Sequence, residues 1–128
     1  MPSVTLKKSA DSFIKRKHPW IFSGATEKVD GNPTKGETVQ IFTSDKKLVG
    51  SGSFSPSSQI RVRVWTFNLE ENIDSEFFKL KIVKAKSLKE KIIDVSTTNA
   101  YRVINSESDG LPGLIVDRYG EYLVCQFL

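Results

Sequence analysis

The segment QIRVRVWTF, Gln59–Phe67, alternates apolar and polar side chains along nearly its whole length. Period-two alternation is typical of a β-strand that has one face against a core. The predicted inward face consists of Ile60, Val62, Val64 and Thr66. The predicted outward face consists of Arg61, Arg63, Trp65 and Phe67. The segment therefore predicts a strand with one buried face and one basic, aromatic face.

Four more strands are predicted before this one. They are an edge strand at Val4–Lys8, Trp20–Ser23, Glu37–Thr43 with Val39 and Ile41 on one face, and Leu48–Phe54. Gly50 and Gly52 inside the last of these predict a bulge or a close approach of two backbones. Five short strands and one small helix within residues 1–68 predict a small curled sheet or barrel.

The segment KRKHPWIFSGA, Lys15–Ala25, concentrates cations and aromatic rings in one turn. The preceding residues, Ser9–Arg16, predict a short helix with Phe13 and Ile14 facing inward. Pro19 ends that helix, because the residue before a proline is pushed out of helical geometry. His18 is therefore expected in an extended turn at the helix end.

The same turn is a candidate RNA-binding site. Lys15, Arg16 and Lys17 are suited to hold phosphates, and His18 or Trp20 offers a ring on which a base could stack. The alternative is structural: Trp20 belongs to the core and His18 caps the helix. Both interpretations stay open from the sequence.

Arg61 and Arg63 form the second candidate site. Strand geometry places them about 7 Å apart on one face, close to the separation of neighbouring phosphates on one nucleic-acid strand. The alternative is an exposed sheet face with ordinary cross-strand pairing to Asp or Glu. Trp65 on the same face favours binding.

Residues 74–94 predict an amphipathic helix capped by Asn72 or Asp74, and antiparallel strands follow it. The apolar positions expected on its inward face are Phe78, Ile82, Ala85, Leu88 and Ile92. Its six lysines are interpreted as a solvated face. Strands are predicted at Tyr101–Asn105, at Leu114–Asp117 and from Tyr122 onward. The last predicted strand is strongly apolar, and such a strand at the end of a chain indicates that the sequence is cut from a longer protein.

No catalytic, cofactor or metal site is predicted in this chain. The acidic and basic groups near the last turns, Glu107, Asp109, Asp117 and Arg118, are interpreted as turn-organising. Cys125, the only cysteine, is expected to be a small core residue. The segment SDGLPG lies between two strands and has a central proline, so it does not match a phosphate-binding loop. One His and one Cys cannot form a metal-ligating cluster.

Composition narrows the class of protein further. A hydrophobic content of 38% with 27% charged residues is typical of a folded domain, and no apolar run approaches the about 20 residues of a membrane span. No secretory signal is evident at the start, so a cytoplasmic location without membrane contact is predicted. Residues 1–70 hold 11 Lys or Arg against 6 Asp or Glu, which suits phosphate contacts.

Three segments in this order resemble one known family. KRKHPWIFSGA, SPSSQIRVRVW and YRVINSESDGLPGLIVDRYGEYLV are similar to the N-terminal part of the bacterial ribosomal RNA large-subunit methyltransferase I family. The resemblance implies a mixed α+β chain. A PUA-type β pseudo-barrel that binds RNA would occupy residues 1–70. Residues 71–128 would begin a central α/β domain, and the Rossmann-like catalytic domain would be absent.

The resemblance also implies what the intact protein does. Members of this family use S-adenosylmethionine (SAM) to methylate carbon 5 of a cytosine in ribosomal RNA, through a cysteine in the C-terminal domain. Nothing here matches that cysteine or the cofactor loop, so this chain alone is expected to bind no cofactor and to be inactive. The implied RNA-binding residues are Lys15, Arg16, Lys17, His18, Trp20, Arg61 and Arg63. A homodimer and a contact with the absent catalytic domain stay open.

The sequence leaves two alternatives to the methyltransferase interpretation open. One is a scaffold or dimerisation region, for which the apolar last strand and the amphipathic helix are the relevant features. The other is a stand-alone PUA module that binds RNA without an enzyme attached.

Overall fold

A computed structural model describes all 128 residues, and they form two compact units, Met1–Ile73 and Asp74–Leu128. The first unit is built almost entirely from strands. The second unit combines one long helix with three strands.

The first unit contains one six-stranded sheet. Its strands are β1 (Ser3–Leu6), β2 (Trp20–Phe22), β3 (Thr26–Asp30), β4 (Thr38–Phe42), β5 (Leu48–Phe54) and β6 (Ile60–Thr66). Their order across the sheet is β2-β6-β5-β4-β1-β3. All neighbours run antiparallel except β1 and β4, which are parallel. Helix α1 (Asp11–Lys15) and two short 3-10 segments, Lys8–Ala10 and Ser23–Ala25, connect the early strands.

The sheet is curled around its own core. Leu6 of β1 and Ile21 of β2 belong to the same buried cluster, although three strands separate β1 from β2 in the sheet. Both residues also line one small apolar cavity of about 20 Å³. The edge strands β2 and β3 are not hydrogen-bonded to each other, so the sheet stays open.

The alternating pattern of β6 has the outcome expected from sequence. Val62, Val64 and Thr66 are buried, and the residues between them are partly exposed. Ile60, expected on the same inward face, is only partly buried at the start of the strand. The predicted close approach at the glycines is also confirmed. A Cβ atom on Gly50 would lie 2.5 Å from the carbonyl oxygen of Thr66, and one on Gly52 would lie 2.4 Å from that of Arg63.

Two predictions about strands in this unit are wrong. The first strand is not an edge strand, because β1 pairs with β3 on one side and with β4 on the other. The sheet has six strands and not five, because Thr26–Asp30 forms the edge strand β3. That segment carries three charged residues and buries no side chain, so it shows no apolar alternation. Charged side chains are typical of edge strands, which must avoid pairing with other chains.

Two side chains of this unit face differently from the prediction. Phe13 of α1 was expected inward and is 44% exposed, because α1 is a single turn that buries none of its residues. Phe67 was expected on the outward face and packs against the core cluster. It follows the end of β6, where the strand alternation no longer applies.

The second unit places one helix against a small sheet. Helix α2 (Ser75–Ile92) is followed by β7 (Ala100–Asn105), a 3-10 turn at Ser106–Asp109, β8 (Leu114–Tyr119) and β9 (Tyr122–Phe127). The sheet order is β7-β8-β9 and all pairs are antiparallel. Asp74 caps α2 by accepting a hydrogen bond from the Phe77 N–H at 2.9 Å, as one of the two predicted caps.

The predicted inward face of α2 is only partly correct. The buried residues are Phe77 and Ala85, and α2 packs mainly on β7. Three of the predicted inward positions are exposed: Ile82 at 39%, Leu88 at 49% and Ile92 at 70%. A sheet of three strands covers only a narrow stripe of an 18-residue helix, so apolar spacing alone does not identify the buried stripe.

The prediction for Cys125 is wrong. It was expected in a core, but it is exposed on β9, a strand that buries none of its six residues. Strand β9 is the edge of its sheet and pairs only with β8. An apolar sequence therefore does not make this strand a core strand.

Candidate nucleic-acid interface

A Schellman motif ends α1 and shapes the basic turn. The N–H of Lys17 donates to the carbonyl of Ile14 at 3.0 Å, and the N–H of His18 donates to the carbonyl of Phe13 at 3.1 Å. These are the two hydrogen bonds of that motif, which needs a left-handed residue at its centre. Lys17 takes this position with φ of 54°. The cations of the turn are thus fixed at a helix end and not spread along a helix.

His18 connects the turn to β2. Its Nδ1 lies 3.1 Å from the Trp20 N–H, which donates to it, and 3.3 Å from the Trp20 carbonyl oxygen. The His18 ring makes edge-to-face contacts with Phe13 at 6.1 Å and with Trp20 at 6.0 Å between centroids. Trp20 contacts Phe22 in the same way at 6.3 Å. Four rings therefore form one continuous row, defined here as the aromatic row.

Strand register places Arg63 beside this row. Trp20 of β2 is directly opposite Arg63 of β6 in the antiparallel pair. Opposite residues point to the same side of a sheet, with Cβ atoms about 5 Å apart. Arg61 and Trp65 share that side of β6 because they alternate with buried positions. The two segments that the sequence singled out are therefore brought together on one surface.

The cations of this surface have no acidic partners. Lys15, Arg16 and Lys17 are exposed. The salt bridges of the chain are Lys28–Asp30, Lys79–Glu76, Lys86–Glu90, Lys89–Asp109 and Arg102–Asp117. None of them uses a cation of the basic turn or either arginine of β6. The alternative of cross-strand pairing to carboxylates does not apply to Arg61 or Arg63.

The two arginines of β6 are not equivalent. The Arg61 guanidinium donates to the carbonyl of Pro56 in the β5–β6 turn, and its Cζ lies 6.0 Å from the centre of the Phe54 ring. Arg63 has no such contact. Arg61 is therefore held at the turn, and Arg63 is the arginine whose donors face no protein acceptor.

The carboxylates of the second unit serve its fold. Asp109 accepts from Lys89 at 3.2 Å and from the Asn105 N–H at 2.6 Å. Asp117 accepts two hydrogen bonds from Arg102, at 2.8 and 3.2 Å. These bonds lower the pKa of the Asp117 carboxyl below its usual 3.8 and raise the pKa of the Arg102 guanidinium. A carboxylate held ionised in this way is poorly suited to act as a general acid.

The SDGLPG loop, residues 108–113, is fixed by hydrogen bonds to neighbouring segments. Ser106 Oγ accepts from the Gly113 N–H at 2.9 Å, and Asp109 is occupied as described. Leu111 is fully buried in the same loop. These contacts attach the loop to the end of β7, to the Ser106–Asp109 turn and to α2. In addition, no three His, Cys, Asp or Glu side chains group in a way that could hold a metal ion.

The comparisons with known proteins fit this geometry. Residues 4–67 match the model of a family described as a PUA-like domain. The chain belongs to the PUA-like domain family. None of its helices has the length and apolar character needed to span a membrane.

Two curated relatives of this chain carry the same name. This chain is 45% identical over 126 residues to ribosomal RNA large subunit methyltransferase I of Aliivibrio fischeri (strain MJ11). It is 47% identical over 126 residues to the protein of the same name from Aeromonas hydrophila. Each match covers 98% of this chain and 32% of the relative. The resemblance recognised from the three segments is confirmed, and the chain spans about a third of the length of these relatives.

Solved structures share the fold of this PUA-like chain. SMU.776, an inferred methyltransferase in complex with SAH, matches with a TM-score of 0.81 and 17% identity, over 98% of this chain and 32% of that one. An inferred SAM-dependent methyltransferase from Streptococcus mutans matches with a TM-score of 0.80 and 17% identity. At this identity the likeness establishes the fold alone.

Sequence reasoning did not find the two ends of the aromatic row. Phe13 was assigned to the core, and Phe22 was assigned to a short strand with a core position as the alternative. The signal for Phe22 was available: it is two residues from Trp20, so both share one face of β2, while Ile21 between them is buried. No sequence signal connects Phe13 to His18, because their contact depends on the Schellman motif.

Lys17→Gly is expected to stabilise the first unit by about 1 kcal/mol, because glycine takes a left-handed conformation without the cost that a Cβ atom imposes. Lys17→Ala is the matched control, since it removes the same charge and keeps the cost. Urea unfolding followed by tryptophan fluorescence measures both, because Trp20 and Trp65 lie in this unit. Equal stability of the two variants would contradict the role assigned to Lys17.

Proposed function

We propose that the first unit binds RNA through the surface formed by the basic turn, the aromatic row and the outward face of β6. The observation that carries this proposal is the pairing of Trp20 with Arg63, beside the cations of Lys15–Lys17 that have no acidic partners. Cations without partners bind phosphates, and exposed rings bind bases. The proposed contact residues are Lys15, Arg16, Lys17, His18, Trp20, Arg61 and Arg63.

Charge supports RNA as the ligand over another anion. Lys15, Arg16 and Lys17 are consecutive, and Arg63 lies beside Trp20 to which the turn leads. An extended set of cations matches a polymer of phosphates better than one small anion. Release of counterions from such a polymer drives binding and makes the affinity depend on salt.

For the whole protein we propose an S-adenosylmethionine-dependent ribosomal RNA methyltransferase that acts on carbon 5 of a cytosine. The names of the relatives support the ribosomal RNA substrate, and the SAH in a structural neighbour supports the cofactor. SAM would supply the methyl group and would bind outside this chain. The second unit, Asp74–Leu128, would begin a central α/β domain. A cytoplasmic location follows from this substrate.

A second candidate function is supported by β9. All six of its residues are exposed, and Leu123, Val124 and Phe127 are each more than half exposed. Exposed apolar edge strands tend to pair with another strand. In this scaffold interpretation the chain docks on a catalytic domain or on a second subunit. A chain that binds no RNA at low salt but self-associates would favour it, whereas a monomer that binds RNA would favour the first proposal.

Replacing Arg61 and Arg63 together by alanine tests the RNA proposal. The Kd for an RNA hairpin with single-stranded tails is expected to rise about tenfold at moderate salt, because two phosphate contacts are lost. The slope of log Kd against log salt concentration is expected to fall by about 1.4 if the contacts are to the single-stranded tails. Fluorescence anisotropy titrations at several salt concentrations measure both quantities.

The matched control is Lys35→Ala with Lys47→Ala, which removes the same charge from two exposed turn positions of the first unit. This control is expected to change affinity and slope much less. Unchanged affinity and slope in the arginine variant, or an equal loss in the lysine variant, would overturn the assignment of the surface.

A further inference from the structure

The aromatic row ends in two rings that the protein leaves open. Phe13 is 44% exposed and Phe22 is 41% exposed, while Trp20 and His18 between them are half-buried. Isolated exposed apolar residues are common on proteins, but these two belong to one row of ring contacts. The row is therefore a continuous feature with two accessible ends.

The geometry of the row keeps ring faces available. Its three contacts have interplanar angles of 87°, 71° and 89°, so in each contact the edge of one ring meets the face of the other and no two rings lie parallel. The rings consequently do not cover each other by stacking. Both Phe13 and Phe22 also line the small apolar cavity, and the solvent-exposed part of each ring is accessible to a flat ligand.

Cations lie next to both ends of the row. Arg16 follows Phe13 by three residues, a spacing that places two side chains on the same side of a helix. Phe22 pairs with Ile60, the neighbour of Arg61. A ring face with a nearby cation matches a nucleotide, which has a flat base and a charged phosphate. Bases inside a duplex cannot offer their faces, because each face is covered by the neighbouring base pair.

We infer that Phe13 and Phe22 stack bases of an unpaired RNA segment, so that the ligand class of this surface is single-stranded RNA. This inference rests on the proposed RNA binding and adds two contact residues and a preference to it. The half-buried Trp20 holds the row in place and pairs with Arg63, and the outer rings contact the bases.

Phe13→Leu and Phe22→Leu test the inference, because leucine keeps the apolar contacts and removes the ring face. The probes are a mixed-sequence RNA of about 12 nucleotides and the same strand annealed to its complement. Each variant is expected to weaken binding of the single strand about fivefold and to leave duplex binding unchanged. Phe42→Leu, at a partly exposed ring on β4, is the matched control and is expected to change neither.

The outcomes distinguish a failure of the stacking inference from a failure of the proposed RNA binding. Equal binding of single strand and duplex by the unchanged protein, or no effect of either substitution, would overturn the inference and leave RNA binding in place. Absence of binding to both probes at low salt would overturn the proposed function itself. Circular dichroism of each variant confirms that an affinity change does not come from loss of fold.

Discussion

Gly52→Ala is expected to destabilise the first unit by about 3 kcal/mol or more. The added Cβ atom would lie 2.4 Å from the carbonyl oxygen of Arg63, 2.8 Å from Cγ1 of Val62 and 2.9 Å from Cα of Val64. Two of these are backbone atoms of the paired strand β6, so they cannot move without breaking the ladder between β5 and β6. Overpacking a core costs about 1 to 3 kcal/mol, and more where the backbone must shift.

The matched control for Gly52 is Gly24→Ala. A Cβ atom on Gly24 would meet nothing within 4 Å. Gly24→Ala should therefore change stability by about 0.5 kcal/mol or less, since it lies away from any clash. Urea unfolding followed by the fluorescence of Trp20 and Trp65 reports on this unit in both variants. Similar unfolding midpoints for the two variants would contradict the close contact of β5 with β6.

The close contact at Gly52 also bears on the RNA surface. Ser53 pairs with Arg63, and the register of the two strands shifts between Ser51 and Gly52. Arg63 is opposite Ser53 on one side and Trp20 on the other, so the ladder next to Gly52 includes the arginine of the RNA surface.

The parts of the fold that local chemistry determines were predictable from the sequence. Alternation identified β6 and its buried face, the glycines of β5 indicated the close approach, and Asp74 was one of the two predicted caps of α2. Each of these features depends on residues within a few positions of one another. No long-range contact is needed to infer them.

The predictions that failed depend on what covers an element. Strand β3 lacks alternation because nothing covers its side chains, and Cys125 is exposed because β9 is an edge that pairs only with β8. Apolar spacing in α2 could not show that the narrow sheet contacts Phe77 and Ala85. Burial in these cases is set by tertiary packing, which the local pattern does not contain.

The candidate site was predictable as residue types but not as one surface. Lys15–Lys17 and Trp20 were singled out separately from Arg61 and Arg63, and only the β2–β6 register brings Trp20 opposite Arg63. The aromatic row depends in addition on the left-handed Lys17, which turns His18 back toward Phe13. A lysine at a position that favours glycine gives no sequence signal for that turn.

Lys89→Met is expected to destabilise the second unit by about 2 to 3 kcal/mol. The side chain of Asp109 is only 4% exposed, and its carboxylate lies 3.2 Å from the ammonium of Lys89. Methionine keeps much of the apolar stem of lysine but leaves a buried carboxylate without its counter-charge. Breaking a buried pair in this way typically costs about 3 to 5 kcal/mol, and the 20% exposure of Lys89 lets water compensate for part of it.

The same substitution at Lys86 is the control, because the Lys86–Glu90 pair is at least half exposed on both sides. Exposed pairs contribute about 0 to 1 kcal/mol, so Lys86→Met should leave stability nearly unchanged. All three tyrosines, Tyr101, Tyr119 and Tyr122, lie in this unit, so their ring resonances follow its unfolding in urea. If the two variants unfold at the same urea concentration, the Lys89–Asp109 pair does not hold the Ser106–Asp109 turn to α2. A selective loss at Lys89 would show that this buried pair, and not the surface charge of the helix, fixes the turn.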